Sequence, residues 1–191
     1  MRCGKPLEDE TMQYCYSCKN NQHLYEQGKA AFVYNRSMKS SIAAFKYGAR
    51  KEYGRYYAAE LAKKHESWIK KTGAQALIPV PIHKERHKKR GYNQAEILAR
   101  ELGKRTGIAV CTDRLLRIRN TRPLKLFDGK ERMEVLQGAF AVRSSSDFPE
   151  NILLIDDIYT SGSTMEHAAG ILKRAGVQNV YFLTVSIGQE R

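Results

Sequence analysis

The chain has 191 residues, enough for one substantial α/β core with a small appendage and too few for two full domains. Its 33 Lys and Arg against 20 Asp and Glu give a formal charge of +13, which favours polyanions, either nucleic acid or phosphorylated small molecules, and a hydrophobic content of 42% is that of a globular protein. No apolar run reaches the length of a membrane span and no charged-then-apolar leader precedes a cleavage site, so membrane insertion is excluded and the expected compartment is the cytoplasm.

Three of the four cysteines fall in the first 18 residues. Cys15-Tyr-Ser-Cys18 is a Cys-x-x-Cys pair, and Cys3-Gly4-Lys5-Pro6 has the form of the closing half of another. A zinc ribbon takes two such knuckles, four thiolates in a tetrahedron. The partner of Cys3 would precede Met1, so either the start lies farther upstream or the ribbon has decayed. His23 is a fourth candidate ligand at a poor spacing. Cys3, Cys15 and Cys18 therefore make an incomplete zinc site, and a cytosolic disulfide is not expected. Cys111, alone among apolar neighbours, reads as a buried thiol. Residues 1–28 form the incomplete ribbon segment and 29–191 the main domain.

Beyond residue 28, residues 30–34 predict a strand, and 40–47 and 56–70 predict helices, the second turning Ala58, Leu61, Ala62 and Trp68 inward. Gly73 breaks the pattern before Ala76-Leu77-Ile78-Pro79-Val80-Pro81, an apolar strand ended by prolines. Lys84, Arg86, Lys88, Lys89 and Arg90 follow, with His83 and His87. Cations there suit a polyphosphate or a nucleic-acid backbone, and a solvated basic turn leading into a helix is the plainer account. Arg90-Gly91-Tyr92-Asn93-Gln94 is an odd filling for a surface turn. Residues 94–102 predict a helix closed by Gly103. Val110, Leu115 and Leu116 suggest another strand edge, and basic, poorly periodic 117–132 a mobile loop or hairpin. Residues 177–185 supply a closing strand. Such alternation implies a doubly wound, mostly parallel sheet, with the ligand at the carboxyl ends of the strands.

Residues 151–164 carry the most information. Ile152 to Ile155 read as a buried strand that stops on Asp156 and Asp157. Thr160, Ser161, Gly162, Ser163 and Thr164 follow, then a helix with Met165, Ala168, Ala169, Ile171 and Leu172 on one side. Carboxylates accept hydrogen bonds from vicinal sugar hydroxyls, while loop N–H groups, hydroxyls and a helix N-terminus surround a phosphate. Gly162 lets the backbone approach the phosphate. Two solvated Asp residues before a helix capped by Ser163 or Thr164, with Glu166 close behind, would use the same letters. The order of strand, acids, small polar loop and helix favours a ribose 5-phosphate.

The 152–164 run resembles the phosphoribosyl-pyrophosphate (PRPP) motif of type I phosphoribosyltransferases. With Phe45-Lys46-Tyr47-Gly48, Pro79-Val80-Pro81, Arg86, Arg90-Gly91-Tyr92-Asn93-Gln94, Arg117-x-Arg119-x-Thr121, Arg132, Gly138-Ala139-Phe140 and the three cysteines, it identifies the chain as similar to the ComF competence family over nearly its whole length. Departures are the missing first Cys knuckle, Leu124 where the family has Gln, and Val135 where it has Asn. The resemblance implies a type I phosphoribosyltransferase fold with a small Cys-containing N-terminal appendage, and displacement at C1 of PRPP assisted by Mg²⁺. Asp156 and Asp157 would bind the ribose hydroxyls, directly or through the metal, and Thr160 to Thr164 the 5-phosphate. The turn at Val80-Pro81 would take the pyrophosphate, covered by Arg86 and Arg90 or by Arg117 and Arg119. Thr160 stands where purine-salvage members carry an acid, so no general base for a purine is evident and the acceptor is not legible. The resemblance equally implies a rival, a non-catalytic module associated with single-stranded DNA in natural transformation. Such a module would keep the pocket as a nucleotide sensor and have a competence helicase as partner.

Overall fold

In the computed structural model, which describes residues 2–7, 11–120, 137–143 and 147–189, strand and helix alternate along most of the chain. The strands are β1 (Gln27–Val33), β2 (Ala76–Pro79), β3 (Ala109–Val110), β4 (Leu115–Arg117), β5 (Phe140–Val142), β6 (Asn151–Tyr159) and β7 (Asn179–Ile187). The helices are α1 (Tyr16–Asn20), α2 (Arg36–Tyr47), α3 (Tyr53–Thr72), α4 (Lys84–Arg90), α5 (Gln94–Thr106) and α6 (Ser163–Arg174). Five strands form one sheet in the order β1-β7-β6-β2-β3, every pair parallel. Parallel neighbours need long crossovers, which α2 with α3, α4 with α5, and α6 supply. The expected α/β class with a parallel sheet flanked by helices is therefore the observed one. β4 and β5 pair antiparallel as a separate ribbon.

The pleat of β6 divides the core in two. Ile152 and Leu154 join the cluster containing Met165, Ala168 and Leu172 of α6, and Leu153 and Ile155 join the one containing Phe45, Leu61 and Leu98 of α2, α3 and α5. Ile152 to Ile155 are fully buried, each contributing about 1.5–3 kcal/mol. Covering both faces is what makes the run continuous rather than alternating. Among the described residues, no helix is long and apolar enough to cross a membrane.

Several expectations change in detail. Gly103 does not close α5. A Cβ there would meet Val110 Cγ2 at 2.6 Å and Ile108 O at 3.0 Å, so glycine lets β3 lie against the helix. The helix runs on to Thr106 and stops at left-handed Gly107, φ +74°. The basic 84–90 run is helical, capped by His83, whose Nδ1 accepts from the Glu85 N–H, and ended by left-handed Gly91. Cys111 is only partly buried. Of residues 117–132, read as a loop or hairpin, only 117–120 are described, Arg117 closing β4; Thr121, Leu124 and Arg132, and Val135 beyond them, lie outside the described residues.

Candidate functional site

β6 lies between β2 and β7, inside the sheet, and its two adjacent acids stay close enough for their side chains to interact. Asp157 follows Ile155 toward α2, where Lys46 Nζ meets its Oδ2 in a direct ion pair, the side chains 20% and 10% exposed respectively. Asp156 lies half-buried, its Oδ1 accepting the Asp157 N–H at 2.8 Å. Burial, then the charge of Asp157, pushes the Asp156 carboxyl well above the usual carboxylate range, against the pull of Lys46. Burial works to lower Lys46, but Asp157 and then Asp156 hold its ammonium above the ordinary value. One cation thus serves two acids. A second cation or a pair of hydroxyl donors arriving at Asp156 would stabilise the ionised form that burial disfavours.

After Tyr159 the chain turns through Thr160, Ser161 and Gly162 into α6. Gly162 sits at φ +85°, and a Cβ there would lie 2.5 Å from Tyr159 Oη. Tyr159 is held firmly, its ring stacked on Phe182 at 4.8 Å and its hydroxyl 2.7 Å from Tyr25 Oη. Glycine is thus required by the ring beside the turn as well as by any phosphate approaching it. Neither Ser163 nor Thr164 is the helix cap. Gly162 occupies that position with no side-chain cap bond, and Ser163 Oγ lies 2.9 Å from Ser161 Oγ. Glu166 looks elsewhere too, meeting His23 Nδ1 at 3.0 Å and accepting the Leu24 N–H at 2.8 Å. A 12-residue helix without a side-chain cap, beginning at a small polar turn, presents N–H groups and a dipole that suit an anion.

Cations gather on the other side. Val80 is buried, its N–H bonded to Ile155 O at 2.9 Å and its carbonyl accepting Asn93 Nδ2 at 3.0 Å, which ties the β2 end to the start of α5. Pro81 and His83 lead from there into α4. In that helix Arg86 and Arg90 stand one turn apart and half-buried, while Lys84, Lys88 and Lys89 are exposed. Burial and then Arg90 lower the Arg86 guanidinium below its ordinary value. Burial, with Arg86 next, brings Arg117 down to about 10, while Asp156 pulls the other way. Arg86, Arg90, Arg117, Lys46 and the two acids therefore share one electrostatic neighbourhood. Arg119 is engaged at the foot of the β4–β5 ribbon, donating to Gln137 O at 3.3 Å.

Sequence reasoning overlooked Lys46. The available signal is its position one helical turn after buried Ile42, on the inward side of a helix, where an unpaired ammonium would not be tolerated. It also treated Phe45–Gly48 and Arg90–Gln94 as separate stretches. They interlock: the Tyr92 hydroxyl donates to Phe45 O, Gln94 Nε2 to Lys46 O at 3.4 Å, and Arg90 Nη2 to Tyr47 Oη at 2.9 Å.

At the N-terminus the Sγ atoms of Cys3, Cys15 and Cys18 lie within 4.8 Å of one another, with Cys3 and Cys15 sulfurs 3.5 Å apart. The Lys5 N–H is hydrogen-bonded to the Cys3 thiol and the Cys3 N–H to that of Cys18. Gly4 is left-handed, φ +80°, and a Cβ on it would lie 2.7 Å from Gly28 O. Burial pushes the Cys3 and Cys18 thiols up, a bias that a thiophilic divalent ion would reverse. Three soft donors around one point fit zinc as three of its four ligands. His23 does not join them, because its Nδ1 faces Glu166 and its ring stacks on Tyr25 at 4.7 Å. A cavity of about 300 Å³ beside α6, lined by Leu24, Phe140, Glu166, His167 and Arg174, does not include the acid pair.

No family-level sequence model matches the chain. Individual proteins do, nearly end to end. It is 27% identical over 187 residues to competence protein F of Haemophilus influenzae, covering 93% of this chain and 80% of that protein. It is 29% identical over 187 residues to competence protein ComFC of Bacillus subtilis, covering 91% and 71%. The chain is a homologue of the ComF-type competence proteins. A match of 24% over 185 residues, covering 94% and 79%, extends the relationship to the DNA utilization protein YhgH of Salmonella typhimurium.

Proposed function

We propose that the chain binds a ribose 5-phosphate ligand, PRPP or a nucleotide, with Mg²⁺, and that it serves in the uptake or use of DNA. One observation carries the ligand assignment: an acid pair at the carboxyl end of a central strand, beside a helix start with no side-chain cap and facing Lys46, Arg86, Arg90 and Arg117. Asp156 and Asp157 would accept the vicinal hydroxyls, and residues 160–164 would surround the phosphate. The carboxylates are hard oxygen donors of the kind Mg²⁺ takes, and the ion, when bound, would neutralise a pyrophosphate leaving group. Arg86, Arg90 and Arg117 would hold the pyrophosphate, and the carboxylates would offset positive charge growing at C1, which makes pentosyl transfer the matching reaction class. The part in DNA handling is supported by relatives named for competence and DNA utilization.

Calorimetry with PRPP and Mg²⁺ tests the site. Replacing both acids, Asp156→Asn with Asp157→Asn, should abolish binding while thermal unfolding stays cooperative. Unchanged affinity would refute the assignment.

A second reading, weak and sequence-independent binding of single-stranded DNA, is favoured by the exposed Lys84, Lys88 and Lys89 on the outer side of α4 and by the +13 charge. Affinity should fall steeply with salt, and Ala at the three lysines should reduce the slope by about 0.7 for each phosphate no longer neutralised. A salt-independent curve would rule it out. Zinc at Cys3, Cys15 and Cys18 belongs to the same proposal as a structural ion.

A further inference from the structure

Tyr47 is the residue after Lys46 and has the opposite exposure. Its side chain is 72% exposed, among the most open large apolar groups of the chain. It is nonetheless fixed. Arg90 Nη2 donates to its hydroxyl at 2.9 Å and the guanidinium carbon lies 4.8 Å from the ring centroid. Arg90 is itself held by Gln94 Oε1 at 3.1 Å, and Gln94, only 2% exposed, is anchored on the Lys46 carbonyl. An aromatic ring left open to water gains little from the hydrophobic effect, so the network that orients it does not serve core packing. It leaves a flat, pre-oriented surface that loses little rotamer freedom when a planar group settles on it.

The position relative to the acids is equally specific. One peptide unit, about 3.8 Å between Cα atoms, separates the residue that touches Asp157 from the residue that offers the ring. We propose that Tyr47, backed by Arg90, is the stacking surface for a nucleobase, so that the site takes a nucleotide or the terminal nucleotide of a single strand in preference to a bare sugar phosphate. This rests on the reading of Asp156, Asp157 and residues 160–164 as the ribose-phosphate site. Stacking on an aromatic accepts any base, since every base has a π face, so the surface confers a ligand class and not a sequence.

The test compares a base-free ligand, ribose 5-phosphate, with AMP, both with Mg²⁺, by calorimetry on the full chain and its Tyr47→Ala and Tyr47→Trp variants. The wild type should bind AMP more tightly. Tyr47→Ala should weaken AMP by about 5- to 150-fold, the range for removing one base–aromatic stack, and leave ribose 5-phosphate unmoved, while Tyr47→Trp preserves AMP binding. Equal losses for ribose 5-phosphate and AMP in Tyr47→Ala, or no loss for any of ribose 5-phosphate, AMP and a 5′-phosphorylated thymidine hexamer, would overturn the proposal. Failure of the wild type to bind either ligand would overturn the ribose-phosphate reading beneath it, a distinct result because it precedes any substitution. A 5′-phosphorylated thymidine hexamer identifies the source of the base. Tyr47-dependence with the hexamer alone assigns the surface to DNA, and with AMP as well, to any 5′-nucleotide.

Discussion

Lys46→Met should expose how far the acid pair depends on a single buried cation. The change keeps side-chain length and removes the charge that faces Asp157, whose carboxylate is only 10% exposed. Removing one partner of a buried pair costs about 3–5 kcal/mol, because the other charge is stranded. The 20% exposure of Lys46 lets water reach the site, which argues for the lower end, about 3 kcal/mol. For a chain of this size that corresponds to a fall in Tm of about 6–12 °C. Asp157→Asn should cost a comparable amount by stranding the ammonium. The double variant has neither charge and should lie well above the sum of the two losses, a coupling of about 1–3 kcal/mol. Urea unfolding of the four proteins, followed by circular dichroism, closes the cycle. Losses that add within about 0.5 kcal/mol would mean that the two side chains act independently, and the electrostatic account of the site would fall.

Gly162→Ala should cost about 1–2 kcal/mol for its left-handed backbone, plus the clash with Tyr159 Oη. Adding Tyr159→Phe removes the nearest atom and should restore part of the Tm, and no restoration would clear Tyr159 as the obstacle. His65, its Nε2 3.0 Å from Ala30 O, has a pKa lowered from 6.5 by burial, so the unfolded chain takes up that proton first. Its contribution to stability is complete above the unfolded value and is lost as pH falls below it. His65→Gln should flatten that part of a stability profile taken between about pH 5 and 8, and parallel profiles would contradict the assignment. Metal analysis should find zinc at the three cysteines held weakly and removed by chelators, since only three ligands meet there among the described residues. One chelator-resistant ion per chain would mean that another group completes the tetrahedron.

The sheet was legible because its central strands announce themselves. Ile152–Ile155 and Ala76–Pro79 are apolar on both faces, the pattern of a doubly covered parallel strand. The acid pair and the 160–164 turn were equally visible, since their spacing encodes their geometry. What stayed hidden was long-range. α4 has no apolar face to betray a helix, so its seven residues read as a basic turn, and only the His83 cap and Gly91 mark its ends. Gly103 looked like a stop because glycine usually is one, whereas here it makes room for Val110. Lys46 and Asp157 are 111 positions apart, and no local pattern says that they meet.

The N-terminal segment is more than an appendage in physical terms. Tyr25 is fully buried, its hydroxyl on Tyr159 and its ring edge-on to Phe182 at 4.9 Å, in the same cluster that takes in Cys3, Cys15 and Met165. Just before it, His23 and Leu24 are clamped to Glu166 in the first turn of α6. The chain just after the cysteines is therefore attached to both ends of the 160–164 turn, through Tyr159 before it and Glu166 after it. Tyr159 in turn is the side chain that forbids a Cβ at Gly162. Interiors packed at this density transmit small displacements instead of absorbing them. Whatever orders the three thiols, an ion or packing alone, also orders the floor on which a phosphate would rest, and the Cys cluster and the phosphate turn are best understood as one structural unit.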